Sequence, residues 1–493
     1  MKTKYFHPLA FLLLEAIGSI TPWLTPATAA LPEPLLVYSA AGIKAPVEAA
    51  AQAYEKEFGI PVQLQYGGSG TLLSSLRVSK SGDLFIPGEE SFIKAGREFG
   101  VLREAIPLAR QHPVIVVPKG NPKNIRSLAD ILRKDVAVAL ANPEATAVGQ
   151  SVKRALEKDG TWSALKDHAK VFKPTVNDIA NDVKIGSVDA GIVWDATASQ
   201  YPELEAVQVP IFDAARETIS ASVLAASKQP TAALRFARYL GARDRGLKEF
   251  ASRHYEVVDG DTWAKVPDLK FFSGAMLRPG IEETLKEFQA REGVTITTVY
   301  NGCGILCAQM KAGQRPDAYF SCDMTFMNSV ADLYIAPENV VDNFLMILVA
   351  KGNPKGIKSA QDLLQPGLRV GLPDHEKSAM GNIAWTMLKD MGIYEALQGN
   401  LKVESPTGDL LVNQLRTGSL DAIIACRSNL ESVREYLDGV PLDHKLANMT
   451  QPFAVGKESQ NKYLAVRLHE TLKSNTSKER FEAAGFRWAA PKP

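Results

Sequence analysis

The sequence predicts an α/β protein in which one domain-sized unit occurs twice. Three observations support this prediction. The chain has 493 residues, which is too long for a single ordinary hydrophobic core. Short apolar runs alternate with helical patterns, as in folds with a mainly parallel sheet. Finally, the second half of the chain repeats the first.

The repeat is visible as long stretches that align without gaps. Residues 35–93 align with residues 269–327, so that Tyr66-Gly-Gly-Ser-Gly70 meets Tyr300-Asn-Gly-Cys-Gly304. Residues 119–132 align with residues 351–364, and both segments begin with Lys-Gly-Asn-Pro-Lys. The same register carries the segment Gly186-Ser-Val-Asp-Ala190 onto Gly418-Ser-Leu-Asp-Ala422. We therefore predict a first module over 31–262 and a second over 263–493.

Each module begins with a strand, a helix and a second strand that leads into a glycine-rich turn. In the first module the helix is predicted over 45–58 from its apolar spacing. The predicted strands of the first module are Leu35–Tyr38, Val62–Gln65, Asp83–Ile86, Val114–Val117, Val136–Ala139 and Ala190–Val193. In the second module, Phe344–Val349 and Ala422–Ala425 take the corresponding places.

The N-terminus and the overall charge limit the compartment and the partners. Lys2 and Lys4 precede an apolar stretch, and Ala27-Thr-Ala29 is a cleavage pattern, so residues 1–30 are predicted to be a signal peptide. The formal net charge of +1 gives no indication of nucleic-acid binding. No stretch after the predicted signal peptide has the apolar length of a membrane span. We expect a secreted, extracytoplasmic protein that is a monomer.

Candidate binding residues lie where strands end and helices begin, which is where open α/β sheets bind ligands. Ser39 follows the first strand, and Ser69 lies in the glycine-rich turn. Residues 145–149 open another helix. Backbone N–H groups at helix N-termini bind anions without help from Lys or Arg. Both serines are equally compatible with ordinary helix capping.

As a set, these motifs resemble those of the periplasmic molybdate-binding proteins of ABC transporters. The motifs are Ser39-Ala-Ala-Gly42, Gly67-Gly-Ser-Gly70, Gly82-Asp-Leu-Phe-Ile86 and Gly186-Ser-Val-Asp-Ala-Gly-Ile-Val193. The second module shows the same series. The resemblance implies tandem type II periplasmic-binding-protein modules, each with two α/β lobes joined by a hinge, that close on a tetrahedral oxyanion such as molybdate or tungstate. It further implies a membrane permease as partner, no cofactor and no enzymatic activity.

Carried over by position, the resemblance assigns the ligand contacts to two hydroxyls, two backbone amides and one aromatic side chain. The hydroxyls are those of Ser39 and Ser69, and the amides are those of Val148 and Val176. Trp194 occupies the position of a tyrosine in the family. Its indole N–H remains a donor, although a packed core aromatic is an alternative interpretation.

The second module differs from the first at the corresponding positions. All four cysteines of the chain lie there. Cys303 replaces Ser69, Cys322 replaces Gly88 and Cys426 replaces Trp194, whereas Met380 replaces Val148. Ser273 keeps the position of Ser39. We take Ser273, Cys303, Met380 and Cys426 as the candidate residues of a second cleft, which is not expected to bind molybdate.

Three interpretations of these cysteines stay open. A disulfide of Cys303 with Cys322 or Cys426 suits an oxidising compartment. A disulfide between Cys303 and Cys307 is disfavoured, because residues one helical turn apart are too far from each other for this bond. Alternatively, Cys303, Cys322 and Cys426 bind a soft metal such as copper or zinc, which would make the protein a metal-binding or sensing protein. A nucleophilic Cys303 at a helix N-terminus is the third interpretation.

Overall fold

A computed structural model describes residues 33–490. The predicted signal peptide over 1–30 lies outside the described residues. Within them, the chain forms two successive α/β modules, each with two lobes. No helix of the described part is both long and apolar enough to cross a membrane.

The first module contains eleven strands and ten α-helices. The strands are β1 (Leu35–Ala40), β2 (Val62–Gly67), β3 (Leu84–Ile86), β4 (Leu102–Gln111), β5 (Pro113–Pro118), β6 (Val138–Ala141), β7 (Val171–Lys173), β8 (Ala190–Trp194), β9 (Leu204–Val207), β10 (Glu217–Leu224) and β11 (Glu256–Val257). The helices are α1 (Lys44–Phe58), α2 (Ser69–Ser79), α3 (Glu90–Glu98), α4 (Leu128–Ile131), α5 (Ala147–Glu157), α6 (Trp162–His168), α7 (Val176–Lys184), α8 (Asp195–Ala198), α9 (Pro230–Leu240) and α10 (Gly246–Ala251).

Two sheets define the two lobes of this module. The first lobe has the strand order β11-β4-β10-β3-β1-β2, in which β1 pairs parallel with β2 and β3, and β10 pairs antiparallel with β3 and β4. The second lobe has the order β7-β6-β8-β5-β9. The chain crosses from one lobe to the other between β4 and β5 and returns between β9 and β10. The predicted two-lobed α/β module with mixed sheets is therefore confirmed. The sheets are not mainly parallel as predicted, because four strand pairings are parallel and five are antiparallel. All five antiparallel pairings involve β4, β5 or β10, where the chain passes between the lobes.

The six strands predicted for the first module lie within two residues of β1, β2, β3, β5, β6 and β8, whereas β4, β7, β9, β10 and β11 were not predicted. The displacement of β6, which begins at Val138 instead of Val136, has a local cause. The backbone N–H of Val136 donates to the carbonyl of Arg133 in a turn. The N–H of Ala137 donates to the carboxylate of Asp189 at 2.8 Å. Because these two amides are already used, strand pairing starts only after them.

The second module repeats this arrangement with ten strands and nine α-helices. The strands are β12 (Asp268–Gly274), β13 (Thr295–Asn301), β14 (Ala318–Phe320), β15 (Glu338–Ala350), β16 (Val370–Pro373), β17 (Leu401–Ser405), β18 (Ala422–Cys426), β19 (Leu437–Pro441), β20 (Asn448–Val455) and β21 (Arg487–Trp488). The helices are α11 (Arg278–Glu292), α12 (Cys303–Lys311), α13 (Met324–Asn328), α14 (Ala379–Asp390), α15 (Tyr394–Leu397), α16 (Gly408–Arg416), α17 (Arg427–Glu431), α18 (Lys462–Leu472) and α19 (Asn475–Ala483).

One long strand, β15, replaces both β4 and β5 of the first module. It begins at Glu338, six residues before the predicted strand Phe344–Val349. β15 pairs with β20 and β21 in one lobe and continues into the other lobe, where it pairs with β18 and β19. The corresponding point of the first module carries His112 and Pro113, and the second module carries Phe344 and Leu345. Because proline has no N–H to donate, it interrupts a ladder that leucine continues.

The two modules meet through a buried group of charges. Glu292 at the end of α11 is 1% exposed. Its carboxylate accepts hydrogen bonds from Arg238 of α9 at 2.9 Å and from Arg467 of α18 at 2.7 Å. Burial alone would raise the pKa of Glu292, but the two guanidinium groups lower it below its ordinary value. Arg238 belongs to the first module, so this triad fixes one module against the other.

Candidate functional site

The cleft between the lobes of the first module is a small cavity of about 20 Å³. It is lined by small, apolar and hydroxyl-bearing residues and by one amide and one indole, without any charged side chain. The lining residues are Ala40, Ala41, Gly42, Ile43, Gly67, Gly68, Ser69, Gly88, Gln111, Thr146, Ala147, Val148, Thr175, Val176 and Trp194.

Several helix N-termini converge on this cleft. The helices α2, α5 and α7 begin at Ser69, Ala147 and Val176, and all three residues line it. A short 3₁₀ turn over Ala41–Ile43 adds a fourth N-terminus. The first amides of a helix have no acceptor within the helix, and the helix dipole makes that end positive. The arrangement therefore directs N–H groups and positive potential into the cleft.

Capping threonines leave the leading amides of two helices for a ligand. The hydroxyl of Thr146 accepts from the N–H of Gly149, and the hydroxyl of Thr175 accepts from that of Asp178. Each cap thus satisfies the third N–H of its helix and does not use the first two. The amide of Val148 is one of these leading amides in α5, and the amide of Val176 is the first of α7.

Glycines bring the two lobes into direct contact at the rim of the cleft. A β-carbon on Gly68 would lie 2.3 Å from the carbonyl oxygen of Ala145 and 2.8 Å from that of Pro174. The N–H of Gly70 donates to the carbonyl of Ala145 at 2.9 Å. Only a residue without a side chain permits this approach, because real β-carbons do not come within 3 Å of such atoms. The structure is therefore that of a closed cleft.

Ser69 presents a hydroxyl that already accepts one hydrogen bond from the protein. Its oxygen accepts the N–H of Gly88 at 3.1 Å, and the residue is 2% exposed. A hydroxyl that accepts from an amide still has its own hydrogen to donate. Ser69 thus has a donor available for a ligand in the cleft.

Trp194 lies at the end of β8 and spans part of the cleft wall. It is 3% exposed, and its Nε1 would be 3.5 Å from a β-carbon placed on Gly88. Its Cδ1 would be 3.7 Å from a β-carbon on Gly42. The indole therefore packs across both glycines, and its N–H lies on the side that faces Gly88.

The structure places Ser39 away from the cleft. Ser39 is fully buried, and its hydroxyl lies 3.4 Å from the carbonyl oxygen of Ala40. Side chains alternate between the faces of a strand, so Ser39 shares the face of Leu35 and Val37, which belong to the core beneath α1. In this segment the cleft is lined by Ala40 to Ile43, not by Ser39. The cleft thus contains one of the two predicted serine hydroxyls.

Gln111 is a cleft residue that the sequence analysis missed. It ends β4 at the crossover between the lobes and is 1% exposed. Its Nε2 donates to the carbonyl of Gly88 at 2.9 Å, and its Oε1 is buried without a partner among the described residues. The sequence signal was a polar residue directly before His112-Pro113, where a strand leaves one lobe.

The second cleft has a similar cavity volume, about 20 Å³, but different chemistry. Its lining includes a carboxylate and two thioethers. The lining residues are Ala275, Met276, Asn301, Gly302, Cys322, Ser378, Met380, Pro406, Thr407, Gly408, Asp409 and Asn429. Asp409 accepts a hydrogen bond from Asn429 at 3.0 Å. Asp409 and Asn429 were not among the predicted residues.

Among the four residues predicted for this second cleft, only Met380 lines it. Ser273 is fully buried, with its hydroxyl 3.3 Å from the carbonyl oxygen of Gly274, and so repeats the placement of Ser39. Cys426 is buried against Met449, and burial raises the pKa of its thiol. Cys303 lies behind the lining and is bonded to Cys322.

The Cys303–Cys322 disulfide resolves part of the uncertainty about the cysteines. The Cα atoms of the pair are 6.2 Å apart. The bond joins the positions that Ser69 and Gly88 occupy in the first module, where a hydrogen bond links them. It uses two of the three cysteines considered as metal ligands, and it leaves no free thiolate at Cys303. Within residues 33–490 no group of three His, Cys, Asp or Glu side chains is arranged to hold a metal ion.

Three known proteins each resemble less than half of this chain. A Haemophilus influenzae protein named "Putative binding protein" is 26% identical over 221 residues, which cover 45% of this chain and 90% of that protein. The molybdate-binding protein ModA of Mycobacterium bovis is 34% identical over 103 residues, which cover 20% of this chain but only 40% of ModA. The periplasmic molybdate-binding protein of Azotobacter vinelandii has 16% identity and a TM-score of 0.39, over 45% of this chain and 99% of that one.

The family comparison covers most of the chain. The family model described as "Bacterial extracellular solute-binding protein" matches residues 35–253 and matches a second time at residues 269–487. Each match spans one of the two modules described above. The chain therefore belongs to the bacterial extracellular solute-binding protein family, with two members in tandem.

Proposed function

We propose that the first cleft binds one small, fully ionised oxyanion of the molybdate, tungstate or sulfate class. The observation that carries this proposal is the convergence of helix N-termini on a cleft without charged side chains. Amides of Val148 and Val176, the hydroxyl of Ser69 and the indole N–H of Trp194 are the proposed donors. Ser39, by its placement, is not one of them.

The polarity of the cleft favours an anion over a cation or an apolar ligand. A cation in this position would face positive helix ends and would find no carboxylate among the lining residues. Fixed N–H donors replace the hydration shell of an anion without the entropy cost of ordering long basic side chains. An apolar ligand would leave these buried amides without acceptors, at about 1–3 kcal/mol for each group.

The size of the cleft favours a ligand of few atoms. The cavity volume of the cleft, about 20 Å³, is only slightly more than the roughly 10–15 Å³ that a single water molecule needs. The contact of Gly68 and Gly70 with the segment Glu144–Ala145 closes its rim. A peptide or a sugar chain would have to hold these loops apart.

We further propose that the protein is exported and delivers the anion to an ABC-transporter permease. Donors from both lobes surround the ligand only when the lobes are closed, so the ligand stabilises the closed form. A permease would then distinguish the closed from the open form by the relative position of the lobes. None of these steps requires a catalytic group.

The test is titration calorimetry of the full-length mature protein with sodium molybdate, tungstate and sulfate. The expected result is binding of at least one of these anions with one site per chain. One site is expected because the carboxylate of Asp409 would repel an anion in the second cleft. Sodium chloride at matched ionic strength is the control. Absence of binding by all three anions at millimolar concentration would refute the proposal.

A further inference from the structure

We propose that Arg154 is a positioning residue that holds the first module closed, as the centre of an ion-pair clasp with Glu89 and Glu217. Arg154 lies on α5 in the second lobe, whereas Glu89 follows β3 and Glu217 begins β10 in the first lobe. None of the three lines the cleft. The clasp therefore acts on the position of the lobes and not directly on the ligand.

The contacts of the clasp are numerous and directional. Arg154 donates from Nη1 and Nη2 to the two carboxylate oxygens of Glu89, at 3.1 Å each. Its Nη2 also donates to Glu217. Ser151, one turn earlier on α5, donates to the same Glu217 oxygen at 3.1 Å. Paired donation of this kind is the strongest form of Arg–carboxylate contact.

The clasp joins the same elements that carry the proposed ligand donors. Glu89 directly follows Gly88, whose N–H binds the Ser69 hydroxyl. Arg154 lies on the helix whose first residues, Ala147 and Val148, line the cleft. Motion that separates Arg154 from Glu89 therefore also separates α5 from the Gly88 segment.

Burial makes the guanidinium necessary. The Glu89 side chain has no exposed surface, and that of Glu217 is 17% exposed. Two carboxylates at this spacing repel each other, and a buried charge is strongly unfavourable without a partner. Without Arg154, closure would bring two carboxylates together with no cation between them or would require Glu89 to take up a proton, and either alternative is unfavourable. Separation of the lobes, which admits water, would relieve that cost.

The second module offers an internal comparison. Aligned by the repeat, Asp323 takes the place of Glu89 and Thr386 takes the place of Arg154. Asp323 caps α13 by accepting from the N–H of Phe326, and Thr386 is exposed and donates to the carbonyl of Asn382 within its own helix. The clasp thus occurs in the first module, whose cleft is free of charged side chains. The corresponding positions of the second module do not form it.

The distance between the lobes tests the clasp without any ligand. Spin labels at Val78→Cys and Ile185→Cys report this distance, because the two positions are 85% and 73% exposed and lie on α2 and directly after α7. In the full-length protein, Arg154→Met should shift the distance distribution to longer values. Lys153→Met is the matched control, since Lys153 pairs with Glu157 within α5.

A rescue experiment separates positioning from a general structural role. Adding Glu89→Gln to Arg154→Met removes the unneutralised charge, so the double variant should regain part of the short-distance population. Unchanged distances in Arg154→Met, or equal lengthening in Lys153→Met, would overturn the inference. If Arg154→Met does not fold, Arg154→Lys replaces it, and the same shift should appear at smaller amplitude because lysine donates to one carboxylate oxygen at a time.

The consequence for ligand binding rests on the proposed function. In stopped-flow measurements with molybdate, Arg154→Met should increase the dissociation rate at least about tenfold with little change in the association rate, because truncation of one partner of a buried charged pair acts mainly on dissociation. If the wild-type protein binds none of the three anions, the proposed function fails, and the label distances still decide for or against the clasp.

Discussion

Replacement of Ser69 by alanine isolates the one serine hydroxyl in the cleft. The hydroxyl performs two tasks, since it accepts the N–H of Gly88 at 3.1 Å and has its own hydrogen available for the ligand. A hydrogen bond to a charged partner contributes about 1.5–3 kcal/mol. Its loss should therefore weaken oxyanion binding by roughly 10- to 150-fold, because 1.4 kcal/mol corresponds to a factor of ten.

The same substitution also leaves the N–H of Gly88 without its acceptor. A buried amide in that state costs about 1–3 kcal/mol, so the free energy of unfolding should fall by a similar amount in the absence of ligand. Denaturant unfolding measures this second effect, and titration calorimetry measures the first. The two effects are separable because only the loss of folding stability is present in the absence of the anion.

Ser39→Ala provides the matched control for Ser69→Ala. Ser39 is equally buried and of the same residue type, but its hydroxyl faces the core and not the cleft. We expect the anion affinity of Ser39→Ala to stay within a factor of two to three of wild type. If Ser39→Ala weakens binding as strongly as Ser69→Ala does, the geometric reasoning that separates the two serines is wrong.

Three further predictions concern closure, pH and the disulfide. Gly68→Ala should weaken anion binding at least tenfold in calorimetry, because its β-carbon would lie 2.3 Å from the carbonyl oxygen of Ala145 when the cleft is closed; unchanged affinity would show that the rim does not need this contact. Burial, and then the nearby Glu217 carboxylate, raise the pKa of Glu89 to about 7 in the closed form, while hydration in an open form would return it toward its ordinary value. The closed form then binds the proton on Glu89 more tightly than the open form does, so the affinity for the anion should rise as the pH falls from 8 to 6. If Glu89→Gln shows the same dependence of anion affinity on pH as wild type, this prediction is wrong. Reduction of Cys303–Cys322, which are 19 residues apart, should lower the stability of the second module by roughly 3 kcal/mol in calorimetric unfolding and leave anion affinity unchanged.

Much of the fold followed from local patterns in the chain. The alternation of apolar runs with helical spacing predicted α1 and six strands of the first module to within two residues of their observed ends. Glycines such as Gly68 marked a turn that brings a helix N-terminus to a sheet edge. These features depend on neighbours close in sequence, so a single chain reveals them. The internal repeat then extended the prediction to the second module.

The direction of individual side chains required the tertiary structure. Ser39 and Gly42 are three residues apart, and the sequence alone did not show which of the two faces the cleft. Gln111 reaches the site only because β4 crosses between the lobes beside Gly88. Asp409, the carboxylate in the lining of the second cleft, lies at the start of α16. The sequence around it resembles the start of α7 in the first module, so the sequence alone did not single it out.

The repeat, the α/β class and the presence of helix N-termini at the ends of strands were determined by the sequence itself, because hydrogen-bond periodicity and glycine conformation are local properties. Only the tertiary structure decided that Cys303 pairs with Cys322, that Ser69 and not Ser39 faces the cleft, and that Arg154 reaches Glu89 across the lobes. Each of these depends on how segments distant in the chain pack against one another, and local patterns carry no information about such packing.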